Sequence, residues 1–259
     1  MTSFLQDKLF ISTRPKDSSE ELTRTLTSLG ATVIEFPLIE IKAAPISEKE
    51  KQYFSVLNNF QWIVFTSPNG VRHFFDILFN LTGTHNLPEE LQLAVIGEKT
   101  ANLLNQFGYK AAFINPGNTA EDFSEPFLYH IETKCTNPKI LLPLGNLART
   151  VIQDRLEEAA DCVRIEVYKT ELPDSFDKKI IRLIETGEYD MIIFTSPSGI
   201  RNFLKVSQTF VKKNIRMVCI GPVTHHEAIE NGFHPLVTAK KSSADGIIES
   251  ILNYYISKT

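Results

Sequence analysis

Short apolar runs punctuate the chain at Leu9–Ser12, Trp62–Phe65, Leu93–Ile96, Ala111–Ile114, Ile140–Leu142, Met191–Phe194, Met217–Ile220 and Leu236–Val237. They are rich in Val, Ile and Phe, and amphipathic stretches of helix length separate them. Runs of this kind, with little polar alternation, are strands buried on both faces. Strands alternating with helices predict parallel sheets covered by helices on both sides.

Two of these units are near copies. Trp62-Ile-Val-Phe-Thr-Ser-Pro-Asn-Gly-Val-Arg72 matches Met191-Ile-Ile-Phe-Thr-Ser-Pro-Ser-Gly-Ile-Arg201 at a constant offset of 129, as from Thr66 to Thr195. Ile96-Gly97-Glu-Lys-Thr100 matches Ile220-Gly221-Pro-Val-Thr224 at an offset of 124, which Gly108 and Gly232 keep, as do Ala120 and Ala244. A longer loop around Thr82–Glu90 in the first copy accounts for the difference. So many matches at fixed offsets indicate an ancestral duplication.

In the first copy a further strand follows, within Lys139-Ile-Leu-Leu-Pro-Leu-Gly-Asn146. Its counterpart of Leu142 would fall at position 266, past the 259 residues given. A similar unit, Lys8-Leu-Phe-Ile-Ser-Thr-Arg14, stands at the other end. The expectation is one domain assembled from residues 1–36 and 173–259 and a second formed by residues 46–163. Residues 37–45 and 164–172, which lie within Phe36–Pro45 (FPLIEIKAAP) and Arg164–Pro173 (RIEVYKTELP), would join them as a two-stranded connector.

Composition narrows the class. Hydrophobic residues make up 42% and charged residues 22%, enough for a sizeable core and too apolar for a disordered chain. No apolar run approaches the ~18–20 residues of a membrane span, and MTSFLQDKLF has no signal-peptide pattern. A cytoplasmic location is the expectation. The formal net charge of -4 disfavours a nucleic-acid partner. Cys135, Cys162 and Cys219 are odd in number and far apart, which reads as free thiols rather than a disulfide frame or a metal pair.

Ligands of open parallel sheets bind beyond the carboxyl ends of the strands, where the repeated motifs fall. Ser67 and Ser196 suit the N-cap position, with Pro68 and Pro197 in the first helical position. Helix N-termini present unpaired N–H groups and about half a positive charge, so several together favour carboxylates or phosphates. Ordinary helix capping explains each motif taken alone. No G-x-G-x-x-G, P-loop or G-x-S-x-G pattern is present. His225 and His226 are adjacent rather than one helical turn apart, which does not suit a shared metal.

The doubled TSP-x-G units, the two Ile-Gly-x-x-Thr units, Leu142-Pro143-Leu144-Gly145-Asn146 and Val167-Tyr168 together resemble the uroporphyrinogen-III synthase family, from about Lys8 to Ile251. Val223 stands where some members carry a second threonine. The resemblance implies an α/β fold: two parallel-sheet, three-layer domains, flavodoxin- or Rossmann-like, joined by a two-stranded connector. It implies a monomeric cyclising lyase of porphyrin and haem biosynthesis without metal or organic cofactor. The substrate would be hydroxymethylbilane, a linear tetrapyrrole with eight carboxylates, handed over in a transient contact with hydroxymethylbilane synthase. The product would be uroporphyrinogen III, with the terminal ring inverted through a spiro intermediate and the carboxylates held by helix N-termini in an interdomain cleft.

By the same resemblance Tyr168 is the catalytic candidate, donating to the departing hydroxyl; its alternative is an aromatic packed on the connector. The substrate-binding candidates are Arg14, Ser67, Thr100, Asn146, Ser196, Ser198, Gly199, Arg216 and Thr224. Arg216 has the alternative of a solvated strand flank. The competing class is a two-domain, non-enzymatic sensor for a carboxylated ligand. A two-domain sugar transferase would need a nucleotide fingerprint that the chain lacks.

Overall fold

The structure, a computed structural model, describes residues 4–115, 120–132, 137–207 and 215–258. Cys135 lies outside them. The chain divides into two compact units, Met1–Glu40 with Glu171–Thr259, and Ile41–Thr170.

The first unit holds β1 (Leu9–Ser12), α1 (Lys16–Ser28), β2 (Thr32–Glu35), α7 (Lys178–Thr186), β9 (Met191–Phe194), α8 (Pro197–Val206), β10 (Met217–Cys219), α9 (Pro222–Glu230), β11 (Val237–Thr238) and α10 (Ala244–Ile256). The second holds β3 (Glu40–Ala43) apart from its first residue, α2 (Glu48–Ser55), β4 (Trp62–Phe65), α3 (Pro68–Thr82), β5 (Gln92–Val95), α4 (Glu98–Gln106), β6 (Phe113–Ile114), α5 (Ala120–Glu132), β7 (Lys139–Gly145) and α6 (Val151–Leu156). Its last strand is β8 (Asp161–Glu171), all but the final residue.

Strand order gives the duplication a physical form. The first sheet runs β2-β1-β9-β10-β11 and the second β3-β8-β7-β4-β5-β6. Without β3, the second sheet repeats the first, β7 and β8 standing where β1 and β2 stand. The pairings agree: Phe10 sits opposite Met191 as Ile140 sits opposite Trp62. Both sheets thus have the 2-1-3-4-5 arrangement of flavodoxin-like domains, with a topological switch between β1 and β9 and between β7 and β4.

The apolar runs behave as their pattern predicts. Ile63, Phe65, Leu93, Val95 and Leu141 pack on one face of the second sheet with Val71, Phe74 and Leu78 of α3 and Leu104 of α4. Trp62, Val64, Ala94, Ile140 and Leu142 pack on the other with Phe123 and Phe127 of α5 and Ile152 of α6. In the first sheet Ile11, Ile192 and Phe194 meet Phe203 of α8, while Phe10, Met191 and Ile193 meet Leu22 of α1 and Ile247 of α10. Alternate residues therefore enter opposite cores, the period of two that a strand imposes. Each large side chain buried this way contributes about 1.5–3 kcal/mol. Cys219 is buried in the first unit, and burial pushes its thiol up to about 12.

The two segments read as a two-stranded connector form β3 and β8. β3 and β8 are neighbours, but β8 is also paired in parallel with β7 from Lys139–Asp161 to Gly145–Tyr168. An isolated two-stranded ribbon is marginal in water. Here Ile165 and Val167 are buried in the core of the second unit, so both segments are strands of its sheet.

Candidate functional site

In each unit the helices after the two switch strands leave on opposite faces. α3 packs on one side of its sheet and α6 on the other, and α8 and α1 do the same. This opens a crevice beyond the carboxyl ends of the strands.

In the second unit, pairing between β4 and β7 covers Trp62–Ile140 and Ile63–Leu141, while β7 stays with β8 as far as Gly145. Pro143, which has no N–H to give, lies past the end of the β4 pairing. The first turn of α3 comes close at this level: a methyl group on Gly70 would stand 3.0 Å from the Pro143 carbonyl oxygen.

Ser67 caps α3, its Oγ accepting from the Gly70 N–H at 3.1 Å. The same Oγ lies 3.2 Å from the Tyr168 hydroxyl. The Tyr168 ring stacks on His73, with centroids 5.8 Å apart and planes at 25°. A cavity of about 300 Å³ is lined by Ser67, Tyr168, Ile96, Leu147, Ile152 and Arg149 among others. A second, of about 820 Å³, shares Thr66, Ser67 and Ile96 with it and reaches Gly97 and Lys99 at the start of α4. The lining therefore combines apolar side chains with a phenol, a hydroxyl and the first residues of α4. Leu147, 68% exposed, leaves apolar surface beside the phenol.

Asn146 has a narrower role than expected. Its Oδ1 accepts from Thr170 N–H at 2.8 Å and its Nδ2 donates to the Thr170 carbonyl at 3.4 Å. The side chain ties the loop after β7 to β8, two residues from Tyr168.

In the first unit Ser196 repeats the cap on α8, accepting from Gly199 N–H at 3.1 Å, with Ser198 Oγ 3.0 Å away. Thr13 donates to the Ile193 carbonyl at 2.8 Å and closes the end of β1 against β9. Arg14 follows it. Partial burial pulls the Arg14 guanidinium below its ordinary pKa, Glu21 opposing the shift, and its Nε is buried without a hydrogen-bond partner. A desolvated guanidinium with an unused N–H is suited to a carboxylate. Ser196→Ala should cost about 1 kcal/mol of stability by removing the cap, read as a lower melting temperature of the first unit.

Three expected binding residues sit differently. Thr100 lines the larger cavity but is 2% exposed, and Thr224 is also 2% exposed. In the first turn of α9 the exposed position is instead Val223, at 72%. Arg216 is at the opposite end of its sheet, because a residue preceding a parallel strand lies at the amino edge. There it donates to the carbonyls of Asp190 at 2.9 Å, Gly187 at 2.7 Å and Tyr189. His225 Nδ1 bonds Thr238 Oγ1 at 2.8 Å, and among the described residues no group of three or more His, Cys, Asp or Glu is placed to hold a metal.

A third cap of the same design was not anticipated. Ser243 accepts from Gly246 N–H at 3.1 Å at the start of α10. The spacing Ser-x-x-Gly, common to Ser67–Gly70, Ser196–Gly199 and Ser243–Gly246, is the signal that identifies it.

The HEM4 family model, uroporphyrinogen-III synthase HemD, matches residues 20–249. The chain belongs to the uroporphyrinogen-III synthase family. Its enzymes are cyclising lyases of porphyrin and haem biosynthesis. The porphyrin biosynthesis protein HemD of Ruminiclostridium josui is 30% identical over 258 residues, which is 96% of this chain and 50% of that protein. The chain thus spans about half the length of that relative. The uroporphyrinogen-III synthase of Synechococcus elongatus is 25% identical over 255 residues, 94% of each chain. The crystal structure of uroporphyrinogen-III synthetase from Helicobacter pylori shares the fold at 19% identity with a TM-score of 0.62, covering 95% of this chain and 99% of that one. Among the described residues no helix is long and apolar enough to cross a membrane.

Proposed function

We propose that the chain closes hydroxymethylbilane to uroporphyrinogen III with loss of water, inverting the terminal pyrrole through a spiro intermediate. The observation that carries this reading is the Tyr168–Ser67 pair at the mouth of a crevice ringed by helix N-termini. The Tyr168 hydroxyl donates its proton to the substrate's terminal hydroxyl. The C–O bond breaks, water leaves, and the electron pair of the adjoining pyrrole gives an azafulvene cation. The substituted carbon of the final ring attacks that cation to form the spiro species. The original methylene bond from the spiro carbon to the neighbouring pyrrole then breaks, leaving a second azafulvene cation. The unsubstituted α-carbon of the inverted ring attacks it, and the proton that this carbon loses returns to the phenolate.

Electron-rich pyrroles drive loss of the hydroxyl, so the protein's task is to choose between two closures. About 1.4 kcal/mol between the competing transition states changes the isomer ratio tenfold. That choice asks for many anchors and a shaped wall. In the second unit carboxylates are held by the N-terminal amides of α3 and α4, while Ile96, Leu147 and Ile152 receive a pyrrole face; in the first unit the N-terminal amides of α8 and Arg14 suit carboxylates in the same way. We place the enzyme in the cytoplasm as a monomer that takes its unstable substrate from hydroxymethylbilane synthase.

The test is to supply hydroxymethylbilane, oxidise the products and separate the isomers by chromatography. Isomer III in excess is expected. Isomer I alone would mean that the chain binds carboxylated ligands without directing their closure.

A further inference from the structure

Tyr168 belongs to β8, yet its hydroxyl meets Ser67 at the end of β4, and β7 runs between those strands. Neighbouring strands are about 4.8 Å apart, so the phenol must cross a whole strand to reach the crevice. Two features of the β7–β8 pair make the crossing.

The first is the register. Leu144 pairs with Glu166 but Gly145 pairs with Tyr168, so β8 carries an extra residue, Val167, against β7. Such a bulge re-aims the side chain that follows it. In unbroken register Gly145 would face Val167, a side chain buried in the core.

The second is the missing side chain at Gly145. A methyl group there would lie 2.5 Å from both Cε2 and Cζ of Tyr168 and 2.9 Å from its hydroxyl oxygen, closer than side-chain carbons approach their neighbours. Gly145 is not among the glycines with positive φ. Its backbone would therefore accept alanine, and the demand for glycine comes from the tyrosine ring. Asn146 then bonds the backbone of Thr170 in both directions and holds β8 at that level.

We propose that Gly145 is a positioning residue for the cyclisation: its bare Cα is the slot across β7 through which the bulged Tyr168 reaches Ser67. The proposal rests on the reading of Tyr168 as proton donor. It predicts that a single methyl group at position 145 acts as a lesion of Tyr168 and of nothing else.

The experiment compares G145A, Y168A and G145A/Y168A, using hydroxymethylbilane generated in situ, with melting curves and a crystal structure of G145A. G145A should lose at least about 10-fold in kcat with KM unchanged, and at most the roughly 10²–10⁴-fold that a positioned proton donor contributes. Its crystal structure should place the Tyr168 hydroxyl outside hydrogen-bond distance of Ser67. The double variant should be as active as Y168A, since the methyl group has no ring left to displace. Parental turnover in G145A, or losses that multiply in the double variant, would overturn the proposal. Should G145A not fold, recovery of folding in G145A/Y168A supports the ring clash, and failure to recover refutes it. Full activity in Y168F would remove the catalytic reading of Tyr168, whereas a displaced ring in the G145A crystal would still establish the slot.

Discussion

Tyr168→Phe should lower turnover by about 100-fold or more, the lower range for loss of a positioned acid, and leave the melting temperature nearly unchanged. The substitution removes one oxygen. That oxygen has a neutral partner, Ser67 Oγ at 3.2 Å, in a half-buried position. Losing such a bond costs about 1 kcal/mol. The ring itself stays over Gly145 and against His73, so packing is preserved. KM should hold, because the substrate's charges are carried elsewhere. The product should change as well as the rate. When the directed closure is slow, spontaneous closure competes and isomer I rises in proportion. A Phe variant with parental turnover and isomer ratio would show that Tyr168 only packs.

Much of this arrangement was legible in the sequence. The buried strands are continuous apolar runs, because both faces of each sheet are covered and successive side chains enter opposite cores. The duplication survived as matching Thr-Ser-Pro-x-Gly turns, because a serine cap, a proline in the first turn and a glycine at the third position solve one local problem twice. These are local or periodic constraints, and they leave local traces.

What was not legible depends on partners distant along the chain. Ile165 and Val167 alternate with polar neighbours, which a ribbon and a sheet strand share. Only the pairing of β8 with β7 distinguishes them. Gly145 reads as a loop glycine until the ring of Tyr168 is seen on top of it. The hydroxyl of Thr100 and that of Thr224 look available in a helix's first turn, but rotation about the helix axis buries both and exposes Val223. Arg216 is different, because strand direction alone assigns it. Residues that precede parallel strands sit at the amino edge, away from the crevice, and the position implied by resemblance did not respect that rule.

Arg216→Ala should therefore damage folding and spare catalysis. Arg216 Nε donates to Asp190 and its Nη2 to Gly187 and Tyr189, so one guanidinium closes the turn between α7 and β9. The guanidinium also lies over the Tyr189 ring, 4.6 Å from its centroid. Alanine leaves three carbonyls without their charged donor and uncovers one ring face. Hydrogen bonds to a charged group contribute about 1.5–3 kcal/mol, and a half-exposed cation–π contact about 0.5–1 kcal/mol. Water regains access to the carbonyls and returns part of this, for a net loss of about 2–3 kcal/mol. In a unit of this size that corresponds to a melting temperature lower by about 5–10 °C. Lysine should not rescue it, since a single ammonium cannot present two nitrogens in a fixed plane to three acceptors. Below the new melting point, kcat and KM should match the parent enzyme. A raised KM with an unchanged melting temperature would instead return Arg216 to the substrate and place a second binding edge at the amino ends of β9 and β10.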